Sequence, residues 1–193
     1  MTLAELHEAA TELETILRLQ TYPIAVKMLK REQDVPKGAQ RPLKDLGYHL
    51  STCQMFAMSR RQGMSLAQLK EDMWCVEPVI GFGMGEPPDY FLEGHNRYPG
   101  SARTLEAGRT WARAFPRFEV GRYAGIASAP AKSASFEPDM VMVYCDPSQL
   151  TQLLITKNWM DGLDVESKLS GHAACVYAVV PTVQTGEWKI TSP

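Results

Sequence analysis

The chain has 193 residues, 45% of them hydrophobic and 22% charged, the balance of an ordinary folded domain rather than of a disordered or collagen-like chain. Twenty Lys plus Arg against 22 Asp plus Glu leave a net charge of −2, so no basic field exists to drive sequence-independent binding to nucleic acid or anionic lipid. The longest apolar runs, Met140 to Cys145 and Ala173 to Pro181 among them, fall far short of the roughly 20 residues that span a bilayer. We therefore expect neither a membrane span nor a nucleic-acid partner. Thr2, Glu5, His7 and Glu8 interrupt any secretory-type apolar leader, which makes a cytoplasmic protein the expectation.

Leu3, Leu6, Ala10, Leu13 and Leu17 recur at spacings of three and four behind a Thr2/Glu5 capping box and predict a helix over residues 3–19. Ile24, Val26 and Met28 alternate with Ala25 and Lys27, a strand over 22–29 with Pro23 at its tolerated first positions. Pro36, Gly38, Pro42 and Gly47 make 31–47 a loop. Ser51 and Gln54 open a second helix that Gly63 ends, and Ser65 with Gln68 repeats the start signal for a short helix through Asp72. Trp74 to Gly100 carries four prolines and repeated glycines and reads as a functional loop. Residues 101–115 read as a helix stopped near Pro116, and 119–129, 139–145 and 173–181 as sheet strands. Asp146, Pro147 and Gln149 start a helix between the last two strands, and a loop follows over 161–171. Thr185 to Pro193, with Trp188 and Ile190, has an extended, strand-like pattern. Strands and helices do not alternate regularly, so the expected fold is one α/β domain over 1–193, a mixed sheet flanked by helices rather than a doubly wound parallel sheet.

Four cysteines, Cys53, Cys75, Cys145 and Cys175, are too sparse for a disulfide scaffold, and separations of 22, 70 and 30 residues leave no C-x-x-C pair. Any shared site must be assembled by the fold. Cys53 lies two residues after the N-cap Ser51, where free backbone N–H groups and the helix dipole favour a thiolate; the competing reading is a small hydrophobe packed beside Phe56. Cys75 falls in the Gly/Pro-rich loop, and Cys175 begins an apolar strand, where core packing competes more strongly. His49 precedes Cys53 by four residues and His172 precedes Cys175 by three, two pairs that together offer the N₂S₂ set tetrahedral zinc accepts. Met55, Met58 and Met64 are soft ligands of the kind copper(I) takes, but their helical spacing reads as core packing. Gly81, Gly83 and Gly85 lack the rest of a phosphate-binding motif. Glu71, Asp72 and Glu77 flank Cys75 and are candidates for proton transfer against the plainer reading of solvated carboxylates. Arg97, Arg103, Arg109 and Arg113 form a basic run expected to be a solvated helix face, and His7, His49, His95 and His172 sit in no nucleophile motif.

The segments His49-Leu50-Ser51-Thr52-Cys53-Gln54, Glu71-Asp72-Met73-Trp74-Cys75, Phe136-Glu137-Pro138-Asp139-Met140-Val141, Asp146-Pro147-Ser148-Gln149 and Ser170-Gly171-His172-Ala173-Ala174-Cys175 give the chain a likeness that covers nearly its whole length. It resembles domain-of-unknown-function family 169, the ArCR proteins. The resemblance implies cysteines at Cys53, Cys75 and Cys175, none at Cys145, and a family sequence that continues past the equivalent of Pro193 into another cysteine. Trp74-Cys75-Val76-Glu77 departs from the Cys-Pro-Gly-like form usual there. No activity comes with the resemblance. The leading expectation is a cysteine-dependent cofactor- or metal-binding protein, an iron–sulfur accessory of anaerobic redox metabolism, with Cys53, Cys75 and Cys175 converging. Zinc held with His49 and His172, or no cofactor at all, are the alternatives. The competing functions are a non-catalytic ligand- or partner-binding module with structural cysteines and an enzyme using Cys53 as nucleophile. The partners expected are a protein redox partner or a second copy of the chain.

Overall fold

In the computed structural model, which describes residues 2–192, β1 (Ile24–Leu29) is buried on both faces and takes an interior place in a four-stranded sheet. It pairs antiparallel with β3 (Gly125–Pro130) on one side and β4 (Met140–Met142) on the other, and β2 (Leu66–Leu69) joins the far side of β3. The order is β2-β3-β1-β4. Every ladder is antiparallel, and parallel pairing is confined to two isolated bridges, Gln40 with Leu66 and Leu50 with Met73. The expected α/β architecture of a sheet flanked by helices is present.

The two sheet faces differ in side-chain size, and that difference sets the layers. Ala25, Ala67, Ala127 and Ala129 make one face shallow, and α1 (Leu3–Leu17) lies on it through Leu6 and Ala10. Ile24, Val26, Met28, Leu66 and Ile126 line the other face, against α2 (Thr52–Gln62), α3 (Val76–Gly81), α5 (Leu105–Ala114) and α7 (Ala174–Thr185). A single turn, α4 (Asp89–Leu92), brings Phe91 into that core, and α6 (Pro147–Asp161) follows β4.

Two expected elements change type. Residues 65–72 form β2 and a 3₁₀ turn instead of a helix, because Leu66 to Leu69 are buried on both faces and pair with Ser128 to Gly125; tertiary pairing overrides the local capping signal. Residues 174–181 are helical, as part of α7, not a strand, and Ala173 is its N-cap. Cys175 to Val180 are buried all round, and a continuous apolar run has no period that separates a core strand from a buried helix. The loop over 74–100 contains α3 and α4, the strands shorten to the bounds given, and the helix over 101–115 starts later, at Leu105, behind its N-cap Thr104. Residues 186–192 form no strand, and Pro193 lies outside the described residues.

Two details position the site. A Cβ added to Gly81 would lie 2.4 Å from Val176 Cγ1, so glycine there is what lets α3 approach α7. Asp72, fully buried, accepts hydrogen bonds from the Leu69 N–H at 2.8 Å, the Leu43 N–H at 3.1 Å and the Arg41 guanidinium, fixing the turn that leads to Cys75. It is a structural anchor rather than the solvated or proton-transferring carboxylate that the sequence suggests.

Candidate thiolate site

Three helix amino ends deliver three cysteines. Ser51 Oγ accepts from the Gln54 N–H at 3.1 Å and Gln54 Oε1 accepts from the Ser51 N–H at 2.8 Å, the expected capping box; Cys53, exposed, is the second helical residue of α2. Cys75 is the N-cap residue of α3 and half-buried. Cys175, buried, is the second helical residue of α7, entered through Ala173 in the left-handed conformation at φ +54°. A non-glycine residue held there is strained, and the strain is located where the chain turns to aim Cys175. Backbone N–H groups at helix starts have no intrahelical partners and favour negative charge on a nearby sulfur.

The three thiols act on one another. A hydrogen bond from the Cys175 thiol holds the Cys53 sulfur down at about 6, with burial opposing and the backbone N–H groups of Cys175 and Cys53 assisting. Cys175 is pushed well above the ordinary thiol range by donating that hydrogen bond, by burial, and by the charges of Cys53 and Cys75. Burial, Glu77 and Cys53 push Cys75 up in the same direction. The arrangement is one thiolate flanked by two neutral thiols. Tyr144, just past β4, belongs to the same surroundings: burial and the charge of Cys53 push its phenol to about 12 against the pull of Arg60, whose guanidinium lies 4.1 Å from the ring centre. Cys145 is raised by burial and Asp146, with no other cysteine acting on it.

The other candidates separate from this centre or take other roles. His49 and His172 are exposed, and the His172 backbone N–H donates to Ser170 Oγ at 3.3 Å. Among the described residues no group of three or more His, Cys, Asp or Glu side chains stands close enough to hold a metal ion, so neither the N₂S₂ set nor the three-cysteine set is already at ligand spacing. Met55 is buried, with Met58 and Met64 packed against the same core. The glycine alternation serves packing: Gly83, at φ +71°, sits where a Cβ would lie 2.4 Å from the Glu119 carbonyl oxygen. Glu71 pairs with Arg41 at 2.6 Å, and Glu77 lies between Cys75 and Arg97. Arg97 is no part of a solvated face; it is buried, stacked 3.8 Å from the Trp111 ring centre and 3.8 Å from Glu77, while Arg109 and Arg113 pair with Glu106. Tyr144 and Arg60 were invisible to motif spacing, and Arg97 was visible only as one member of a basic run. Only the placement of Arg60 two helical turns after Cys53 signalled that it shares the side of α2 from which Cys53 projects.

The model of domain-of-unknown-function family 169, described as uncharacterised ArCR, matches residues 12–193. The chain belongs to the ArCR family. Uncharacterized protein MJ0308 of Methanocaldococcus jannaschii is 24% identical to it over 182 residues, covering 93% of this chain and 76% of that protein. No solved structure matches. No helix of this ArCR protein, among the described residues, is long and apolar enough to cross a membrane.

Proposed function

We propose that this ArCR protein is cysteine-dependent and works through a redox-active thiol centre, with Cys53 as the attacking thiolate and Cys175 as its partner thiol. The observation that carries the reading is an unequal pair: Cys53 exposed at the start of α2 and Cys175 buried at the start of α7, with the Cys175 thiol drawing Cys53 down to about 6 while Cys175 itself is pushed up. An exposed thiolate at a helix start, beside a second thiol, has the makings of disulfide exchange. The step balances with a disulfide-bearing oxidant. The Cys53 thiolate attacks one sulfur of the substrate disulfide and expels the other as a thiolate. Cys175 then loses its proton and attacks the Cys53 sulfur, forming the Cys53–Cys175 disulfide and releasing the second substrate thiolate; two electrons pass from the cysteines to the substrate. Loss of the Cys53 charge in the mixed disulfide removes a main cause of the high Cys175 proton affinity, so the second thiol becomes more acidic when its turn comes.

A second reading is favoured by Cys75, a third thiol that dithiol exchange does not use. Cys53, Cys75 and Cys175 are thiol donors suited to an iron–sulfur cluster or a soft metal, which would supply electron transfer when bound. The fit is incomplete, since the three do not stand at ligand spacing among the described residues. One experiment separates the readings. The protein is purified without oxygen, analysed for metal and acid-labile sulfide, and titrated in defined thiol–disulfide buffers with peptide mapping by mass spectrometry. A reversible Cys53–Cys175 disulfide in metal-free protein supports the first. Stoichiometric iron and sulfide lost on replacing Cys75 supports the second. A metal-free protein in which the two cysteines never pair removes both.

A further inference from the structure

Buried polar atoms without a hydrogen-bond partner gather around Arg97. Among the described residues they include Nε and Nη2 of Arg97, both amide ends of Asn96 and the indole nitrogen of Trp111. The Arg97 side chain is only 9% exposed, and Nε and Nη2 form the guanidinium edge that meets a planar carboxylate with two parallel N–H bonds. Two other arginines show that edge filled. Arg31 donates from Nε and Nη2 to Asp34 at 3.2 and 2.8 Å, and Arg41 turns the same two nitrogens onto Asp72 and Glu71. At Arg97 the carboxylate in range, Glu77, keeps its Oε1 3.8 Å from Nη2, beyond hydrogen-bond reach. A buried charged donor without an acceptor is strongly unfavourable, so the edge calls for an occupant. Packing fixes its position. A Cβ on Gly108 of α5 would lie 2.4 Å from the Gly94 carbonyl oxygen, so the turn after α4 sits directly on α5, and the Trp111 ring covers the guanidinium at 3.8 Å. Glu77 follows Cys75 by two residues on α3, and Tyr177, whose phenol acts on the Arg97 charge, follows Cys175 by two on α7. The empty edge therefore neighbours the helix starts that bring Cys75 and Cys175 to the thiol centre.

We infer that the Nε/Nη2 edge of Arg97 is a carboxylate subsite, and that the disulfide exchanged at the thiol centre carries the carboxylate it holds. The second half rests on the reading of Cys53 and Cys175 as an exchanging pair; the subsite itself does not. Charge and shape choose the occupant. A water satisfies N–H groups but leaves the buried positive charge opposed only by Glu77 at 3.8 Å. A phosphate dianion brings two charges to a place already flanked by Glu77 and the Cys53 thiolate. A carboxylate brings one charge and two coplanar oxygens that match the edge. Asn96, the preceding residue, adds an unmet amide donor in the same turn. Entry is from the side of Glu77. Its side chain is 23% exposed and tied to Arg97 only by the long contact, so moving it aside breaks no hydrogen bond.

The test has two arms on the full chain. In the first, the protein reduced with dithiothreitol is melted in acetate or propionate, and in acetamide or propionamide, at constant ionic strength. The carboxylates should raise Tm saturably and the amides should not. R97Q should lose the rise, and R97K, which keeps the charge without the planar edge, should lose most of it; E77Q should keep it. In the second arm, oxidation of the reduced protein is timed with dithiodiglycolate, dithiodipropionate and dithiodibutyrate, each against its diamide. At least one dicarboxylate should react about tenfold faster than its diamide, and R97Q should erase that preference while leaving the diamide rate unchanged. A wild-type Tm that carboxylates do not raise saturably overturns the inference without need of a variant. A rise that R97Q retains is a salt effect and overturns it too, as does a rise found only in E77Q, which shows Glu77 filling the edge in solution. Exchange at equal rates with dicarboxylates and diamides upholds the thiol pair and overturns the carboxylate-bearing substrate. Saturable carboxylate binding in a protein that no disulfide oxidises upholds the subsite and sinks the exchange reading instead.

Discussion

Replacing Cys175 tests the physical core of the site, because Cys53 owes its low value first to the Cys175 thiol. At pH 7 a thiol titrating at about 6 is roughly 90% thiolate, against about 1% at the ordinary 9.0. That gain does not pass straight into rate. Intrinsic nucleophilicity falls with basicity with a slope of about 0.4–0.5, so the drop from 9.0 to about 6 costs roughly 20-fold and leaves an advantage of only about 3- to 6-fold at neutral pH. A single rate at pH 7 is therefore a weak test, and the midpoint of the pH profile is a strong one. Iodoacetamide labelling of the reduced protein from pH 5 to 10, resolved by peptide mass spectrometry, should give a Cys53 midpoint near 6 and a Cys145 midpoint above 9. C175A removes the donor and moves the Cys53 midpoint up toward the ordinary range, while C175S, which keeps a hydroxyl donor, falls between. A wild-type midpoint already near 9, or one that C175A leaves in place, refutes the argument.

The same ionisations set a pH signature in stability. Cys53 is depressed in the folded protein, so its contribution is present above the unfolded value near 9 and is lost as pH falls toward 6; Cys75, Cys175 and Tyr144 are raised, so theirs is lost as pH climbs above their unfolded values. Denaturant midpoints should rise from pH 6 to about 8–9 and decline beyond, and C53A should flatten the rising limb. In G81A the new methyl meets Val176, for an expected loss of about 1–3 kcal/mol and a raised Cys53 midpoint as α7 is displaced; V176A should recover part of both in the double variant, and additive losses would show that the two do not touch. D72N puts an amide against three donors in a buried place, with an expected cost of about 3–5 kcal/mol and a fall in Tm on the order of 10 °C by calorimetry.

Capping chemistry carried the sequence reading where local forces decide. Thr2/Glu5, Ser51/Gln54 and Asp146/Gln149 all form their boxes, and the three helices behind them are in place. Ser65/Gln68 has the same pattern and fails, because Leu66 to Leu69 gain more by burying both faces beside β3 than a short helix gains from one cap. α7 was misread for the opposite reason. It is surrounded by core, has no polar stripe, and so loses the periodicity that distinguishes a helix. That error mattered for the site: as a strand residue Cys175 has no helix end to polarise its neighbour, and as the second residue of α7 its N–H and thiol both act on Cys53. Arg97 shows the same limit. Its place in a run of arginines suggested solvent, and only the packing of α3 and α5 around it turns the guanidinium inward onto Trp111.

The centre accepts one negative charge easily and a second only with difficulty. Cys75, Cys175 and Tyr144 are each held neutral in part by the charge already on Cys53. Whatever cancels that charge, a proton, a bond to another sulfur or a thiophilic metal, eases ionisation of the remaining thiols in the same step. In the proposed exchange this electrostatic coupling sets the order: Cys53 reacts first, and Cys175 is released to follow. Burial adds a direction to that order, because Cys53 is exposed and Cys175 is not, so an incoming sulfur or metal reaches the already ionised member before the one that must still give up its proton.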